Sequence, residues 1–198
     1  MFVVGILGGI ASGKSTITRM LEEKGAKVLD VDKIARAVLQ QSQVKDKLRQ
    51  RWGGSIFDES GEVQRHKIAQ LVFQQNEEGE ENLRFLEATT HPLVSEQLAA
   101  ILHELQSLEI VIILDAAVML KAGWQKHCDT ILFVDADDEL RLARAKTRGW
   151  SKEEFHNREA RQESLEYKKS LAQTVINNGA DLAETQNQID QFWQTIPT

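Results

Sequence analysis

A glycine-rich run, Gly8-Gly-Ile-Ala-Ser-Gly-Lys-Ser15, separates two regular segments near the start of the chain. The segment before it, Phe2–Leu7, is apolar and β-branched, which is typical of a buried strand. From Lys14 onward apolar residues recur at helical spacing until Gly25. A buried strand that passes through glycines directly into a helix favours a parallel α/β sheet with an anion-binding turn at its edge.

The same run fits the pattern G-x-x-x-x-G-K-[ST] of a phosphate loop, or P-loop. Glycines allow the backbone to curl so that successive N–H groups converge on phosphate oxygens. Lys14 then places a positive charge on the β- and γ-phosphates, and Ser15 offers a hydroxyl to Mg²⁺. The spacing and the strand-to-helix context favour this interpretation over an accidental glycine-rich turn. The predicted nucleotide-binding residues of the loop are Gly9, Ile10, Ala11, Ser12, Gly13, Lys14, Ser15 and Thr16.

Short apolar runs elsewhere predict four further strands. They are Lys27–Asp30, Glu109–Asp115, Asp129–Asp135 and Gln173–Asn177. Because these runs alternate with helical patterns, we expect an α/β protein with a five-stranded parallel sheet in a three-layer P-loop NTPase fold.

The stretch between the second and third predicted strands is long and mainly helical, with expected helices at Arg65–Phe73, Asn82–Thr89 and Pro92–Leu108. A parallel crossover normally needs one helix, so the excess predicts an inserted helical subdomain. A second charged stretch, Ser151–Leu171, is predicted to be one exposed helix of a mobile lid. We expect one domain over 1–198, with the core at 1–32, 109–140 and 172–198, the helical subdomain at about 33–108 and the lid at about 141–171.

Aspartates stand where predicted strands end, at the edge of a parallel sheet that binds ligands. Asp30 and Asp32 are expected on one extended segment, pointing the same way. Asp32 could then orient and deprotonate an acceptor hydroxyl, and Asp30 could support metal-bound water; equally, one of them could simply cap the following helix. Asp115 ends an apolar strand. In P-loop proteins an aspartate at such a position holds a magnesium-bound water. The signal is weak by itself, because many strands end in Asp at a turn.

Three arginines, Arg141, Arg144 and Arg148, recur at helical spacing and are expected to share a face. Phosphoryl transfer needs cations that arrive as the site closes. For Arg144 and Arg148 we favour such a phosphate-binding function. For Arg141 we favour a solvated position that pairs with nearby glutamates.

Composition excludes several classes of function. A formal net charge of −6 disfavours nucleic-acid binding. Cys128 is the one cysteine, which precludes an internal disulfide and fits a reducing compartment. The apolar runs are too short to span a bilayer, and no signal peptide is recognised. We therefore expect a cytoplasmic monomer that binds neither nucleic acid nor membrane.

Taken in order, these features resemble the dephospho-CoA kinase family along nearly the whole chain. The similar segments are Val4–Thr16, Asp30–Arg36, Gly61–Arg65, Val72-Phe73, Thr90-His91-Pro92, Leu142-Ala-Arg144, Arg148, Arg158, Gln162 and Val175–Gly179. The resemblance implies ATP and dephospho-CoA as substrates and Mg²⁺ as cofactor, with phosphate transferred to the ribose 3′-hydroxyl in the last step of coenzyme A synthesis.

The resemblance also implies residue roles. Asp32 would be the general base, Lys14 would act on the phosphates together with Arg144 from the lid, and Ser15 would bind the metal. From their positions at strand ends, and apart from the resemblance, Asp30 and Asp115 are expected to hold the metal through water. The implied acceptor-binding residues are Asp32, Arg65, His91 and Asp115, although His91 could merely precede Pro92. The implied ATP-binding residues beyond the loop are Arg144, Arg148, Asn178 and Gly179, the last two near the adenine.

Two segments depart from the family pattern. The family usually has D-x-P-L-L-F-E after the third strand, whereas this chain has Ala117 for the proline and Lys121 for the final carboxylate. The family's Ala-Asp before the last strand is Ala172-Gln173. These changes leave the phosphate loop and Asp32 intact, but the altered Ala117–Lys121 segment could permit a P-loop kinase of another nucleotide or small metabolite. A non-catalytic ATP-binding switch is a separate alternative, against which Asp32 and the large helical insertion favour a kinase.

Overall fold

The computed structural model describes residues 1–179 and 181–197. The chain divides into two compact units. The first unit consists of Met1–Asp30 together with the chain from Leu105 onward, and the second unit is Val31–Glu104. The helices are α1 Lys14–Glu23, α2 Val31–Leu39, α3 Ser42–Trp52, α4 Arg65–Val72, α5 Glu77–Leu105, α6 Asp138–Thr147, α7 Lys152–Glu159, α8 Leu165–Ser170 and α9 Leu182–Gln194, with 3₁₀ turns at Gly54–Ile56 and Trp124–His127. Within the described ranges, no helix is long and apolar enough to cross a membrane.

The first unit is built on a five-stranded sheet in the order β2-β3-β1-β4-β5. The strands are β1 Phe2–Gly8, β2 Lys27–Asp30, β3 Val111–Asp115, β4 Thr130–Asp135 and β5 Thr174–Asn177. Every pairing is parallel, so all carboxyl ends lie at one edge. The α/β P-loop fold with a five-stranded parallel sheet is therefore confirmed.

The core of this unit follows from the alternation of side chains along the strands. Val4 and Ile6 of β1 point to the face covered by α1 and α9, where Ile17 and Ile189 are fully buried. Gly5 points to the opposite face, where an added Cβ would lie 2.7 Å from the sulfur of Cys128. Both faces of the central strand are thus packed, which is why its sequence is apolar without a break.

The second unit is helical, and its best-defined contacts join α3 to α5. The indole nitrogen of Trp52 donates a hydrogen bond of 2.9 Å to the side-chain oxygen of Asn82, which is 2 % exposed. The Trp52 and Phe85 rings meet edge to face with centroids 5.4 Å apart. Buried aliphatic side chains from all its helices complete the core: Val38, Val44, Leu48, Ile56, Ile68, Val94 and Leu98.

The prediction of separate helices at Asn82–Thr89 and Pro92–Leu108 is wrong. One continuous helix, α5, runs through both and contains Pro92. Proline lacks the N–H that would bond to the carbonyl four residues earlier, so a helix end was the reasonable expectation. Burial of Thr89, Thr90 and Val94 around the proline keeps the helix continuous, because packing outweighs one lost hydrogen bond.

The prediction of a single helix over Ser151–Leu171 is also wrong. Two helices, α7 and α8, occupy this stretch. Ser151 begins the first by accepting a hydrogen bond from the backbone N–H of Glu154, and Ser164 begins the second by accepting one from Tyr167. Two serine caps in one charged stretch therefore indicated two helix starts.

Candidate active site

The phosphate loop runs between β1 and α1 in a tightly curled conformation. Gly13 has φ +97°, and Ala11, at φ 58°, is the one non-glycine residue with positive φ in the described chain. The backbone N–H of Ser12 donates back to the Gly9 carbonyl at 3.2 Å. A Cβ at Gly13 would lie 2.0 Å from the side-chain nitrogen of Asn178, so this position requires glycine for both conformation and space.

Two side chains from distant parts of the sequence hold the Ser12 carbonyl. The side-chain nitrogen of Asn178 donates to it at 2.7 Å, and Nη1 of Arg144 donates at 3.1 Å. A trans peptide directs its C=O and the next N–H to opposite sides. Fixing the Ser12 carbonyl on this side therefore fixes the Gly13 N–H on the other side of the loop, as an anion site requires.

Arg144 and Asn178 are also bonded to each other. Nη2 of Arg144 donates to the Asn178 carbonyl at 2.9 Å. Asn178 directly follows β5 and is 5 % exposed, and its own N–H donates to the Asp135 carbonyl at the end of β4. The family resemblance implies that Asn178 lies near the adenine, and the sequence gives no sign of its contact with Ser12, because the two residues are 166 positions apart.

Arg141 does not lie on a solvated face, and that expectation is wrong. It is 3 % exposed, donates to carboxylate oxygens of Asp138 and Glu159, and bonds the carbonyl of Ile10 in the phosphate loop at 3.4 Å. Its guanidinium lies 5.4 Å from the ring centroid of Phe155. The partner that buries it, Glu159, comes from another helix, so local spacing could not reveal it.

Two further lid arginines, Arg148 and Arg158, lie in different environments. Arg148 is exposed at the carboxyl end of α6. Arg158 forms an ion pair of 2.8 Å with Glu154 and lies over the Trp150 ring at 4.3 Å. Arg141 and Arg144 thus contact the phosphate loop, whereas Arg158 forms an ion pair at the surface.

The residues of the loop that carry the predicted chemistry lie at its end. Nζ of Lys14 donates to the Gly9 carbonyl at 3.4 Å, so its side chain curls back over the loop. Ser15 is exposed in the first turn of α1, and Thr16 is half-buried beside it, with its N–H bonded to the Gly13 carbonyl at 2.9 Å.

Two of the predicted acidic residues are brought together at the carboxyl edge of the sheet. Asp30 is the last residue of β2 and Asp115 the last of β3, and they are paired in register. Asp115 is also in register with Ile6 of β1, the strand that leads into the phosphate loop. In the described residues, no group of three or more His, Cys, Asp or Glu could hold a metal ion by itself.

Asp32 is not on an extended segment with Asp30, which corrects the geometric expectation. It lies in the first turn of α2, because the helix begins at Val31 directly after the strand. Asp32 belongs to the helical unit, as do Arg65, exposed at the first position of α4, and His91, half-buried within α5.

The segments that depart from the family pattern have their own stabilising contacts. After β3 the chain forms turns in which Met119 and Trp124 are each 1 % exposed, while Ala117 and Lys121 are exposed. Gln173 accepts from the backbone N–H of Ile131 at 2.8 Å. The side chain of Gln173 therefore satisfies the backbone N–H of Ile131. The carboxylate of an aspartate at position 173, as in the family pattern, could accept the same bond.

A phosphate loop at the carboxyl edge of a parallel β2-β3-β1-β4-β5 sheet, with acidic residues ending the neighbouring strands, defines a P-loop nucleotide-binding protein. The family model described as dephospho-CoA kinase matches residues 2–184. The chain belongs to the dephospho-CoA kinase family.

Individual relatives are similar to this chain over nearly its full length. Curated proteins described as dephospho-CoA kinases include one from Fusobacterium nucleatum, 32 % identical over 197 residues and 99 % of each chain. Another, from Aquifex aeolicus, is 34 % identical over 98 % of this chain and 96 % of the relative. A crystal structure from Thermus thermophilus superimposes with a TM-score of 0.80 at 30 % identity, covering 100 % of this chain and 98 % of that one.

Proposed function

We propose that the protein is a dephospho-CoA kinase that transfers the γ-phosphate of ATP to the ribose 3′-hydroxyl of dephospho-CoA, the last step of coenzyme A synthesis. The observation that carries the proposal is the phosphate loop held by Arg144 and Asn178 through the Ser12 carbonyl. Family membership, supported by the match over residues 2–184, adds the acceptor.

Binding of ATP rests on the loop amides and on charge. The N–H groups of the curled loop and the positive end of α1 receive the β- and γ-phosphates. Lys14 contributes a point charge, and so do Arg144 of α6 and Arg148, which directly follows that helix. Asn178 and Gly179 follow β5 and complete the nucleotide side of the site.

Mg²⁺ fits the residues at this edge. Asp30 and Asp115 are paired in register next to the strand that leads into the loop, and Ser15 is exposed at the start of α1. These oxygens are the hard ligands that Mg²⁺ prefers, and the ion usually keeps several waters and binds substrate phosphates. Ser15 would bind it directly and the two aspartates through water. When bound, the ion neutralises charge on the phosphates.

The acceptor side is assigned to the helical unit. Asp32 accepts the proton of the acceptor hydroxyl and orients the oxygen for attack on the γ-phosphorus. Arg65 and His91 are assigned to binding of the anionic acceptor, and Asp115 is assigned to the acceptor as well. Arg144 and Lys14 stabilise the charge that spreads over the transferring phosphoryl group.

The experiment is a coupled assay of ADP release with Mg²⁺-ATP and dephospho-CoA, run beside AMP, shikimate and no acceptor. Phosphorus NMR identifies the position that is phosphorylated, and Lys14→Ala is the inactive control. We expect turnover with dephospho-CoA but not with AMP, shikimate or no acceptor, and a product phosphorylated at the 3′ position. Preference for another acceptor would indicate that Ala117 and Lys121 mark a changed acceptor site, and ATP binding without turnover on any acceptor would indicate a switch.

A further inference from the structure

A glutamine of α9 holds the end of β5 by its backbone. Oε1 of Gln188 accepts the N–H of Asn177 at 2.8 Å, and Nε2 of Gln188 donates to the Asn177 carbonyl at 3.0 Å. The same Nε2 also donates to the Glu184 carbonyl of its own helix at 3.4 Å. A carboxamide carries a carbonyl oxygen and two N–H donors, so one side chain can make all three contacts. The proposed mechanism does not yet use this residue.

The two bonds fix the backbone on both sides of Asn177. The N–H of Asn177 belongs to the peptide group before its Cα, and the carbonyl belongs to the peptide group after it. Because each peptide group is planar, holding both leaves the φ and ψ angles of Asn177 little freedom. In the described sheet β5 is an edge strand, so its last residue gains from α9 a support that a central strand would have from its neighbours.

The residue that this support orients is Asn178. Its N–H, in the peptide group that it shares with the Asn177 carbonyl, donates to the Asp135 carbonyl at 2.8 Å. The N–H of Gly179 donates to the side-chain oxygen of Asn177, also at 2.8 Å. The backbone on both sides of Asn178 is therefore held, and its side chain is directed to the Ser12 carbonyl.

This series of bonds runs from a half-buried side chain, Gln188, to a buried contact in the phosphate loop. Asn178 is 5 % exposed and Ser12 is 1 % exposed. Because water cannot replace a misplaced partner there, a rotation of the Asn178 side chain weakens its bond to Ser12 without compensation. Arg144 holds the carbonyls of both residues and keeps part of the contact in place. The backbone of Asn177 thus governs how well Asn178 holds the loop.

We propose that Gln188 is a positioning residue of the nucleotide site. It sets the backbone of Asn177 so that the side-chain nitrogen of Asn178 meets the Ser12 carbonyl. The N–H of Gly13 then faces the phosphates of a bound nucleotide. Gln188 acts through Asn178 and not on the nucleotide itself. The inference deepens the ATP site of the proposed function and rests on it.

The test is isothermal titration calorimetry of ADP with Mg²⁺ on Gln188→Met. Methionine has a similar length and a high helix propensity, but it has no donor for the Asn177 carbonyl and its sulfur is a weak acceptor. We expect the dissociation constant of ADP to rise about fivefold, the equivalent of one typical hydrogen bond. With saturating ATP, kcat for transfer to dephospho-CoA should stay within about twofold, because the change affects binding and not the chemical step.

Gln186→Met is the matched control. Gln186 lies on the same helix and is half-buried like Gln188, but its side chain donates to Asp190, on α9 itself, at 2.9 Å. The affinity for ADP should not change in this variant. Thermal unfolding checks that both variants fold. Gln188→Glu, which still accepts the Asn177 N–H but cannot donate to its carbonyl, replaces the methionine variant if that one does not.

A double-mutant cycle with Asn178→Ala separates positioning from general support of the fold. ADP binding should survive in this background, because Arg144 still holds the Ser12 carbonyl. If Gln188 acts through the Asn178 side chain, its loss should raise the dissociation constant there by no more than about twofold. The fall in melting temperature caused by Gln188→Met should be similar in both backgrounds, since the bonds to Asn177 are lost in each.

Each remaining outcome counts against the inference. Unchanged ADP affinity in the Gln188 variant, or an equal loss in Gln186→Met, overturns it and leaves the proposed function standing. A loss of affinity that is retained in full in the Asn178→Ala background overturns it as well, because Gln188 then acts by another route. A wild type that does not bind ADP at all overturns the proposed function together with this inference.

Discussion

The side-chain nitrogen of Asn178 donates a hydrogen bond of 2.7 Å to the carbonyl oxygen of Ser12, and both residues are buried. This bond joins the segment after the last strand to the phosphate loop after the first. The bond itself contributes about 0.5–1.5 kcal/mol, because Arg144 still donates to the same carbonyl when Asn178 does not. The conformation of the loop therefore depends on a residue near the other end of the chain.

Asn178→Asp should weaken both stability and nucleotide binding. The new carboxylate keeps the size of the side chain but has no N–H for Ser12 and repels its carbonyl. We expect a loss of about 1–3 kcal/mol of unfolding free energy and a raised KM for ATP. Asn177→Asp is the control, because the side-chain oxygen of Asn177 only accepts, from Gly179 N–H at 2.8 Å. Equal effects of the two changes on melting and KM would contradict the assigned role.

Gly13→Ala should be far more damaging than Gly25→Ala. Both glycines have φ near +100°, at +97° and +103°, so the backbone strain is matched. Gly25 has nothing within 4 Å of an added Cβ, whereas at Gly13 the Cβ would lie 2.0 Å from Asn178. We expect Gly25→Ala to lower the unfolding free energy by about 1 kcal/mol, from backbone strain alone. Chemical denaturation should show a larger loss of unfolding free energy for Gly13→Ala than for Gly25→Ala. Only Gly13→Ala should abolish ADP binding.

The sheet and the loop could be predicted because their signals are local. The strand at Lys27–Asp30 and the start of α1 at Lys14 are read from adjacent residues, and the structure has the same bounds. Contacts such as Arg141 with Glu159, or Ser12 with Asn178, join residues from different elements and leave no pattern in the sequence. Pro92 shows the converse, because tertiary packing overrode a local signal that was read correctly.

Arg144→Ala should lower kcat more than it raises the KM for dephospho-CoA. In the proposed mechanism its charge is needed most when the γ-phosphoryl is in transfer, while its two bonds hold the carbonyls of Ser12 in the loop and of Asn178 after β5. We expect kcat to fall about a hundredfold, as for loss of one electrostatic stabiliser. Lys146→Ala, an exposed change on the same helix, is the control. An unchanged kcat with a lowered melting temperature would make Arg144 a brace alone.

Cys128 should resist alkylation in the native protein. Burial, and secondly the charge of Asp129, raises the pKa of its thiol to about 12. Since only the thiolate reacts, iodoacetamide at pH 8.5 should label the folded protein at least about a hundredfold more slowly than the unfolded one. Intact-mass spectrometry over time gives both rates. Comparable rates would mean that the sulfur is neither buried nor neutral.

Asp32→Asn addresses the proposed chemistry itself. A ribose hydroxyl is a poor nucleophile, so a carboxylate that accepts its proton should be worth roughly two to four orders of magnitude in turnover. Asparagine keeps the size and some hydrogen bonding of this residue in the first turn of α2 but cannot accept a proton. ATP and dephospho-CoA should therefore still bind, which calorimetry measures, while steady-state transfer falls.

Asp30→Asn is the matched comparison, because Asp30 ends β2 in register with Asp115 and is assigned to metal-bound water. Its effect should be milder than that of Asp32→Asn and should shrink at high Mg²⁺ concentration, since added metal compensates for weaker binding but not for a missing base. If Asp30→Asn proves the more damaging with binding intact, the two roles are exchanged. If neither variant slows transfer, the acceptor hydroxyl is activated by another group, and the general-base mechanism is wrong.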